Sequence, residues 1–366
     1  MKIRRLLFAA VLLFGASLSS QAQTLHANYI TTAVPFLMNT PDARGAALGF
    51  SGVATSPDAF SMFYNPAKYA FMSNDHTMIA SGFNALPAFP DQYLSYDAFA
   101  QRIGNSVIAA TARYHRYGDL VIYDANHQNL GSYRPHEFAV DVAYSYRFSD
   151  YLSAGVAGRF IHYTLNTGML GDNVKSSSIA GDISVFYKRP LGNLVDMSLG
   201  AAITNIGTKM VYGYEEGRKD FIPTTLRLGA GFKFNFHPKN ILAVNLEFSK
   251  LMVPTPPIIA KDDTGNPLYN EDGSYQLLYG MDDNVSVFRG MFQSFFDAPG
   301  YVMNYATGDY ERIGSFYEEL CEVNTGIGIE YNLADHFFVR TGYYHAPTMK
   351  GGVDCLIEGL GMKFES

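Results

Sequence analysis

Histidine, cysteine and the charged residues are the side chains here that could do chemistry. The nine histidines are scattered. His115, His127, His136 and His162 fall near the ends of predicted segments, but without metal-ligand spacing. Cys321 and Cys355 are the only cysteines and form no CxxC pair. GxSxG, HExxH, P-loop and dinucleotide signatures are all missing. Only a Ser/His/Asp arrangement assembled from different segments would escape this search, because triads are set by geometry rather than by chain order. The charges that remain recur at alternate positions: Arg113, Glu137, Asp141, Arg147, Arg159, Asp182, Arg227, Lys233, Glu247, Glu330 and Arg340. Opposite charges spaced in this way solvate or pair with one another. No cofactor or metal is expected.

The elements that must position them are strands. In Glu137 to Phe148 the residues Phe138, Val140, Val142, Tyr144, Tyr146 and Phe148 alternate with Glu137, Asp141, Ser145 and Arg147. Thr225 to Phe236 and Val323 to Leu333 repeat the pattern, the polar side of the former including Gly229 and Gly231. Reading on this basis predicts strands at 76–86, 92–103, 106–123, 136–148, 152–165, 177–189, 194–206, 224–236, 240–252, 322–333, 336–345 and 354–364. A soluble sandwich alternates too. Two features favour a membrane barrel: aromatics gather near strand ends, and short connections (Gly104-Asn105, Ser149 to Tyr151, His237 to Lys239, Ala334-Asp335) alternate with long ones. Short periplasmic turns and long external loops are the asymmetry of outer-membrane barrels. The polar side, with the charges above, then lines the lumen.

Bulk properties agree. Charged residues make up 17%, below the ~25% of ordinary globular domains. The net charge of -7 argues against nucleic acid as a partner. Met1 to Ala22 reads as a signal peptide, with a basic start, an apolar core from Leu6 to Leu18 and a small-residue cleavage site. Residues 23–75 are expected to be a plug and 76–366 the barrel. Thr31 to Phe71 has no sustained period and carries Pro35, Pro41, Pro57 and Pro66. Pro41-Asp42-Ala43-Arg44 reads as a turn whose Asp42 and Arg44 could meet lumen charges. Asn65-Pro66-Ala67, followed by Lys68, reads as a hinge into the first strand. The connection 253–321 is far longer than the ~15 residues beyond which loops are usually functional. Within it Val285, Phe288, Phe292, Phe295 and Phe296 fall near one face at helical spacing. They are either a lid packed on the mouth or a docking surface for cargo or a translocon.

Several blocks resemble the PorV family, outer-membrane proteins of the Bacteroidetes type IX secretion system. They are Ile30 to Leu37, Pro41 to Arg44, Gly52 to Asp58, Asn65 to Phe71, Gly290 to Gly300, Ser315 to Glu322 and Phe338 to His345. The Asn-Pro-Ala element alone also resembles the hatch of FadL-type fatty-acid channels. The resemblance implies an all-β, FadL-type outer-membrane β-barrel of fourteen strands with an N-terminal plug; about twelve are visible in the sequence. A chain ending at Ser366 would then lack a closing hairpin. The resemblance also implies a non-enzymatic role in the cell outer membrane: binding the C-terminal domain of cargo at the translocon channel and delivering it to the sortase PorU. The membrane's lipid and lipopolysaccharide would be its surroundings. A FadL-like transporter of hydrophobic molecules is the alternative reading, and a lipid A deacylase role, also attached to the family, is a second. One strand separates the strands of the two cysteines, too far for a direct bridge, so free thiols or pairing through a flexible loop are expected.

Overall fold

The computed structural model describes residues 25–26, 28–72, 77–86, 89–123, 127–166, 173–212, 219–237, 239–304 and 307–364. The expected signal peptide, Met1 to Ala22, lies outside them. Twelve strands form one antiparallel sheet in which every neighbour in space is the next in the chain. They are β1 (Thr77–Leu86), β2 (Phe89–Ile103), β3 (Ser106–Tyr117), β4 (His136–Arg147), β5 (Leu152–Asn166), β6 (Asn173–Leu191), β7 (Val195–Gly207), β8 (Thr225–His237), β9 (Asn240–Leu251), β10 (Val323–Leu333), β11 (Phe337–His345) and β12 (Asp354–Met362). Among the described residues β1 and β12 are the two edges, so the sheet has twelve strands rather than the fourteen implied by the resemblance.

The third strand stops six residues earlier than expected. Gly118 takes φ 85, which breaks the extended run, and Leu120–Tyr123 then pairs with Asn129–Tyr133 as a separate hairpin.

Burial along the strands runs opposite to that of a soluble protein. In β4, Glu137, Asp141 and Ser145 are buried while Val140, Val142 and Tyr144 are exposed. Ile179, Ile183 and Val185 on β6, and Ile327 and Ile329 on β10, are exposed likewise. A wall with charge inside and aliphatics outside is stable only where the outside is lipid. Aromatic rings band the outer ends: Phe83, Tyr93, Tyr114 and His136 form a row across β1 to β4 with centroid spacings of 5.3, 6.1 and 5.8 Å. No described helix is long and apolar enough to cross a membrane.

The loop 253–321 is folded. It carries a hairpin (Ile258–Ile259 with Leu277–Tyr279), the helices at Val287–Gln293 and Ser315–Leu320, and a second hairpin, Tyr301–Asn304 with Tyr310–Arg312. Leu25–His26 adds a third strand to that second hairpin. Cys321 and Cys355 are free thiols.

Candidate functional site: a filled lumen and an external cap

The plug segment is built of short turns: Pro35 and Pro66 open two of them, and the left-handed backbone at Gly49 and Phe50 stops the first helix. It contains a 3-10 turn at Pro35–Met38, helix α1 at Ala43–Ala47, helix α2 at Ser61–Tyr64 and a 3-10 turn at Pro66–Phe71. We number the cap helices α3 (Val287–Gln293) and α4 (Ser315–Leu320). All twelve strands touch the plug. Gly82 of β1 lies against the Pro41 carbonyl. Arg102 of β2 donates to the Met72 carbonyl. The Arg113 guanidinium of β3 sits over the Phe63 ring. Ser145 of β4 donates to the Pro66 carbonyl at 2.7 Å, and Ser153 of β5 to that of Ala67 at 2.7 Å. Asn65 Nδ2 donates to the Val185 carbonyl of β6 at 3.1 Å, and Ser198 of β7 to that of Ala54 at 2.6 Å. Arg227 of β8 stacks on Phe63 and Tyr64. Glu247 of β9 accepts the amides of Gly52 and Val53 at 2.7 and 2.8 Å. Glu330 of β10 takes a two-pronged contact from Arg44, 3.0 Å at each oxygen. Gly342 of β11 and Gly359 of β12 receive Gly49 and Ala47.

The predicted plug residues take specific parts in this. Arg44 meets a lumen charge, Glu330, which also accepts from Arg340 at 2.6 Å, and within the plug it pairs with Asp58 at 2.6 Å. Asp42 does not. Its carboxylate accepts Gly45 N–H at 2.7 Å as the N-cap of α1 and the Tyr64 hydroxyl at 3.0 Å. Asn65 is a clip rather than a hinge: fully buried, it caps the turn after Pro66 and donates to Val53 O. Lys68, also fully buried, donates to the Gly52 carbonyl at 2.7 Å and to Thr55 at 2.9 Å.

The predicted lumen charges divide by depth. Arg113, Asp141, Arg159 and Asp182 form one buried chain: Asp141 accepts from Arg113 at 3.0 Å and from Arg159, and Arg159 reaches Asp182 at 3.0 Å. Glu137, fully buried, accepts the Tyr117 hydroxyl at 2.7 Å. Arg227 pairs with Glu247 at 2.7 Å. Arg147 and Lys233 are half-buried near the short-turn end, where Lys233 lines a cavity of about 270 Å³ with Asp196 and Lys188. A second cavity of about 420 Å³ opens at the long-loop end, between Phe50, Arg227, Asn324 and Tyr344. The two share no lining residue, and the plug lies between them.

At the external rim one ionic node ties three elements together. Lys250 of β9 donates to Glu319 and Glu322 at 3.1 and 2.5 Å; Lys350 donates to Glu318 and Glu322 at 2.6 and 2.9 Å and to the Asn28 carbonyl at 3.0 Å. The cap, the rim and the front of the plug segment are therefore joined through one cluster of charges. Asp297 is buried beside the node, and its Oδ1 has no partner. Burial, with Glu319 and Glu322 close by, pushes its carboxyl up to about 7.

Above this node the cap shows apolar surface. Phe288, Phe292, Phe295 and Phe296 are exposed, the first two by 68% and 69%, and Phe316, Tyr317 and Leu320 of α4 are exposed with them. Gly290, Met291 and Gln293 form the buried side of α3. Val285 does not share the aromatic face: it precedes the helix and is buried. The segment packs by Gly290, Met291 and Gln293 and turns its rings outward, Phe295 the least so, beside Lys250 of β9.

Sequence reasoning passed over the cap node and the inward glycines. At Gly155, Gly200 and Gly326 a Cβ would meet plug backbone. Their signal was present, since Gly229 and Gly231 already alternate with apolar residues in β8.

A twelve-stranded inside-out wall around a plug defines an outer-membrane β-barrel with a filled lumen. A family model described as "Type IX secretion system protein PorV" matches residues 21–258, and the chain belongs to that family. Among solved structures, the toluene transporter TbuX of Ralstonia pickettii is similar at 12% identity and TM-score 0.43, covering 88% of each chain. The Pseudomonas putida toluene transporter TodX (10%, TM-score 0.44) covers 87% of this chain and 85% of its own. The CymD monoaromatic hydrocarbon channel (13%, TM-score 0.44) covers 93% and 90%. No curated protein matches.

Proposed function

We propose that this protein is a non-enzymatic docking platform of the type IX system. It receives the C-terminal domain of a secreted cargo on its external cap, at the translocon channel, and passes it to the PorU sortase. The observation that carries this reading is the cap: clamped to the rim by Lys250 and Lys350, it still exposes Phe288, Phe292, Phe295 and Phe296 together. A fixed cluster of large apolar side chains in water marks an interaction site, and aromatic anchors of this kind dominate interface energies. The filled lumen fits a platform better than a conduit, because the two cavities are separated by buried plug residues such as Gly52 and Val53. Replacing the four phenylalanines with serine should abolish co-purification of cargo from outer-membrane extracts while the barrel still assembles. Undiminished cargo capture by that variant would end the proposal.

A second reading has one observation behind it. Near the external end of β5 and β6, Ser177 Oγ lies 2.8 Å from His162 Nδ1, within reach for base activation of a surface hydrolase acting on lipid A. The other ring nitrogen faces the Thr164 hydroxyl at 3.1 Å rather than a carboxylate, so the usual orienting member is replaced by a weaker one. Ser177→Ala with unchanged lipid A acylation in cells would dismiss this reading.

A further inference from the structure

The cavity of about 270 Å³ at the short-turn end plays no part in the platform reading. Short-turn ends face the periplasm in outer-membrane barrels. Lys188 lies near the end of β6 and Lys233 near the end of β8; both are half-buried, and both line this cavity. The carboxylates on its wall are all engaged. Glu330 accepts from Arg44 and Arg340, and Asp335 pairs with Lys363 at 3.0 Å. Asp196 stands directly across from Lys233 in register, yet accepts instead from Asn235 at 3.1 Å. The two lysines are left over: among the described residues neither ammonium has an ion pair or a hydrogen bond.

The asparagines of the same cavity add an observation independent of charge. Asn245 of β9 is 6% exposed, and among the described residues its side-chain amide has no partner. Asn332 of β10 is 9% exposed; its Nδ2 donates to Asp335 at 3.3 Å, and its Oδ1 has no partner. Buried amides are normally hydrogen-bonded, so two left open at one cavity call for an explanation. Gly231 keeps the floor between them clear: a Cβ there would lie 2.8 Å from Asn245 Oδ1 and 2.9 Å from the Ala54 carbonyl oxygen. Phe186, Pro57 and Ile241 supply apolar wall.

The geometry points to a binding site for an extended acidic peptide segment, presented from the periplasm by a partner protein. A side-chain amide carries both the donor and the acceptor that a peptide unit needs, so Asn245 and Asn332 suit a main chain. Lys188 and Lys233 stand two strands apart, about 10 Å. Their flexible stems can bring both ammoniums to the carboxylates of such a segment, where the hydrogen bonds are charge-assisted. The cavity is smaller than the ~300–1,000 Å³ of most small-molecule pockets, so it admits a short stretch of chain and not a domain. A free inorganic anion would satisfy the lysines and leave the amides and the apolar wall unused. The site goes beyond the platform reading: the plug separates it from the cap, and its test involves no cargo.

The test titrates the full-length barrel in lipid nanodiscs with a fluorescent, end-blocked peptide of glutamate, valine and glycine, read by anisotropy. The same peptide with glutamine for every glutamate is the control, and inorganic phosphate is the competitor. The acidic peptide should bind at least tenfold more tightly than the control, and an equal concentration of phosphate should not displace it. Lys188→Gln with Lys233→Gln should abolish the preference, and Lys188→Arg with Lys233→Arg should retain it. Asn245→Ala should weaken both peptides at least threefold, because it removes a main-chain contact. Equal affinity for the two peptides, full displacement by phosphate, a preference that survives the glutamine pair, or unchanged binding by Asn245→Ala would each overturn the proposal. The lysines have no partner within the protein, so the glutamine pair should keep the heat-modifiable mobility of the folded barrel. Loss of that mobility would mean that they serve the wall itself, and the proposal would fail.

Discussion

Removing the Glu247 carboxylate should loosen the plug more than any other single change at its contacts. Glu247 is buried on β9 and does three things at once: it accepts Gly52 N–H at 2.7 Å, Val53 N–H at 2.8 Å and the Arg227 guanidinium at 2.7 Å. Glu247→Ala orphans two buried amides and leaves Arg227 without its counter-ion. Losing one partner of a buried pair costs ~3–5 kcal/mol, and the amide bonds are part of that figure rather than additional to it, since the three share one carboxylate. Glu247→Gln keeps an oxygen for the two amides but turns its NH2 toward the Arg227 guanidinium, so the charge and that one hydrogen bond are lost, at a cost of about 1–2 kcal/mol. The effect is local, so the assay should be local: Ala54→Cys, with both native cysteines replaced by serine, reports maleimide access to a residue that is 3% exposed. At ~1.4 kcal/mol per tenfold, Glu247→Ala should speed labelling by roughly a hundredfold or more, and Glu247→Gln by about five- to thirtyfold. Less than a threefold change in the alanine variant would mean that the plug is held by shape alone and that this electrostatic account is wrong.

The pH response of the cap should come from Asp297. Its folded carboxyl is raised to about 7 from the ordinary 3.8, so the closed cap binds a proton that the open cap releases. Closure is therefore favoured at acid pH, weakens as pH rises from about 4 to about 7, and levels off above that. Glu322, held below its ordinary value by Lys350 and Lys250, has the opposite sign: its contribution is lost only as pH falls below about 4.5. Hydrogen exchange of residues 285–321, corrected for the intrinsic rate, should show this slope, and Asp297→Asn should flatten it. In the wall, Gly200→Val should displace the plug or block assembly, because any Cβ there overlaps the Val53 carbonyl oxygen. Gly158→Val, facing outward with open space around it, should leave the gel mobility of the folded barrel unchanged.

The strands were legible because the lipid face enforces period 2 with a sharp contrast, and Val140, Val142 and Tyr144 against Glu137, Asp141 and Ser145 state it without context. Boundaries failed where a single glycine decided them, as at Gly118, whose positive φ ends β3. The plug could be located by its lack of period, but its contacts could not, since Arg44 and Glu330 are 286 residues apart. The cap aromatics were visible as a spacing. What no periodicity reveals is which way they face: a seven-residue helix can turn either side inward, and the buried Gly290, Met291 and Gln293 decide it by fitting against the loop.

The plug is better regarded as the core of this protein than as a gate within it. A gate needs a wall that stands without it. Here the inward face of the wall is cut to the plug's shape, with glycine where plug backbone passes and serine hydroxyls aimed at plug carbonyls. If the plug withdrew, Ser145, Ser153, Glu247 and Glu330 would lose partners together, and Arg227 would lose the rings beneath it. Each loss alone is ~1–3 kcal/mol, and together they rival the whole stability of a small domain, ~5–15 kcal/mol. Opening a through-path is thus as costly as unfolding, whereas moving the cap leaves these wall-to-plug contacts in place and disturbs the node at Lys250 and Lys350, the Leu25–His26 pairing and the Asn28 contact to Glu318. The mobility that this architecture leaves available is at the external rim, where a partner would bind.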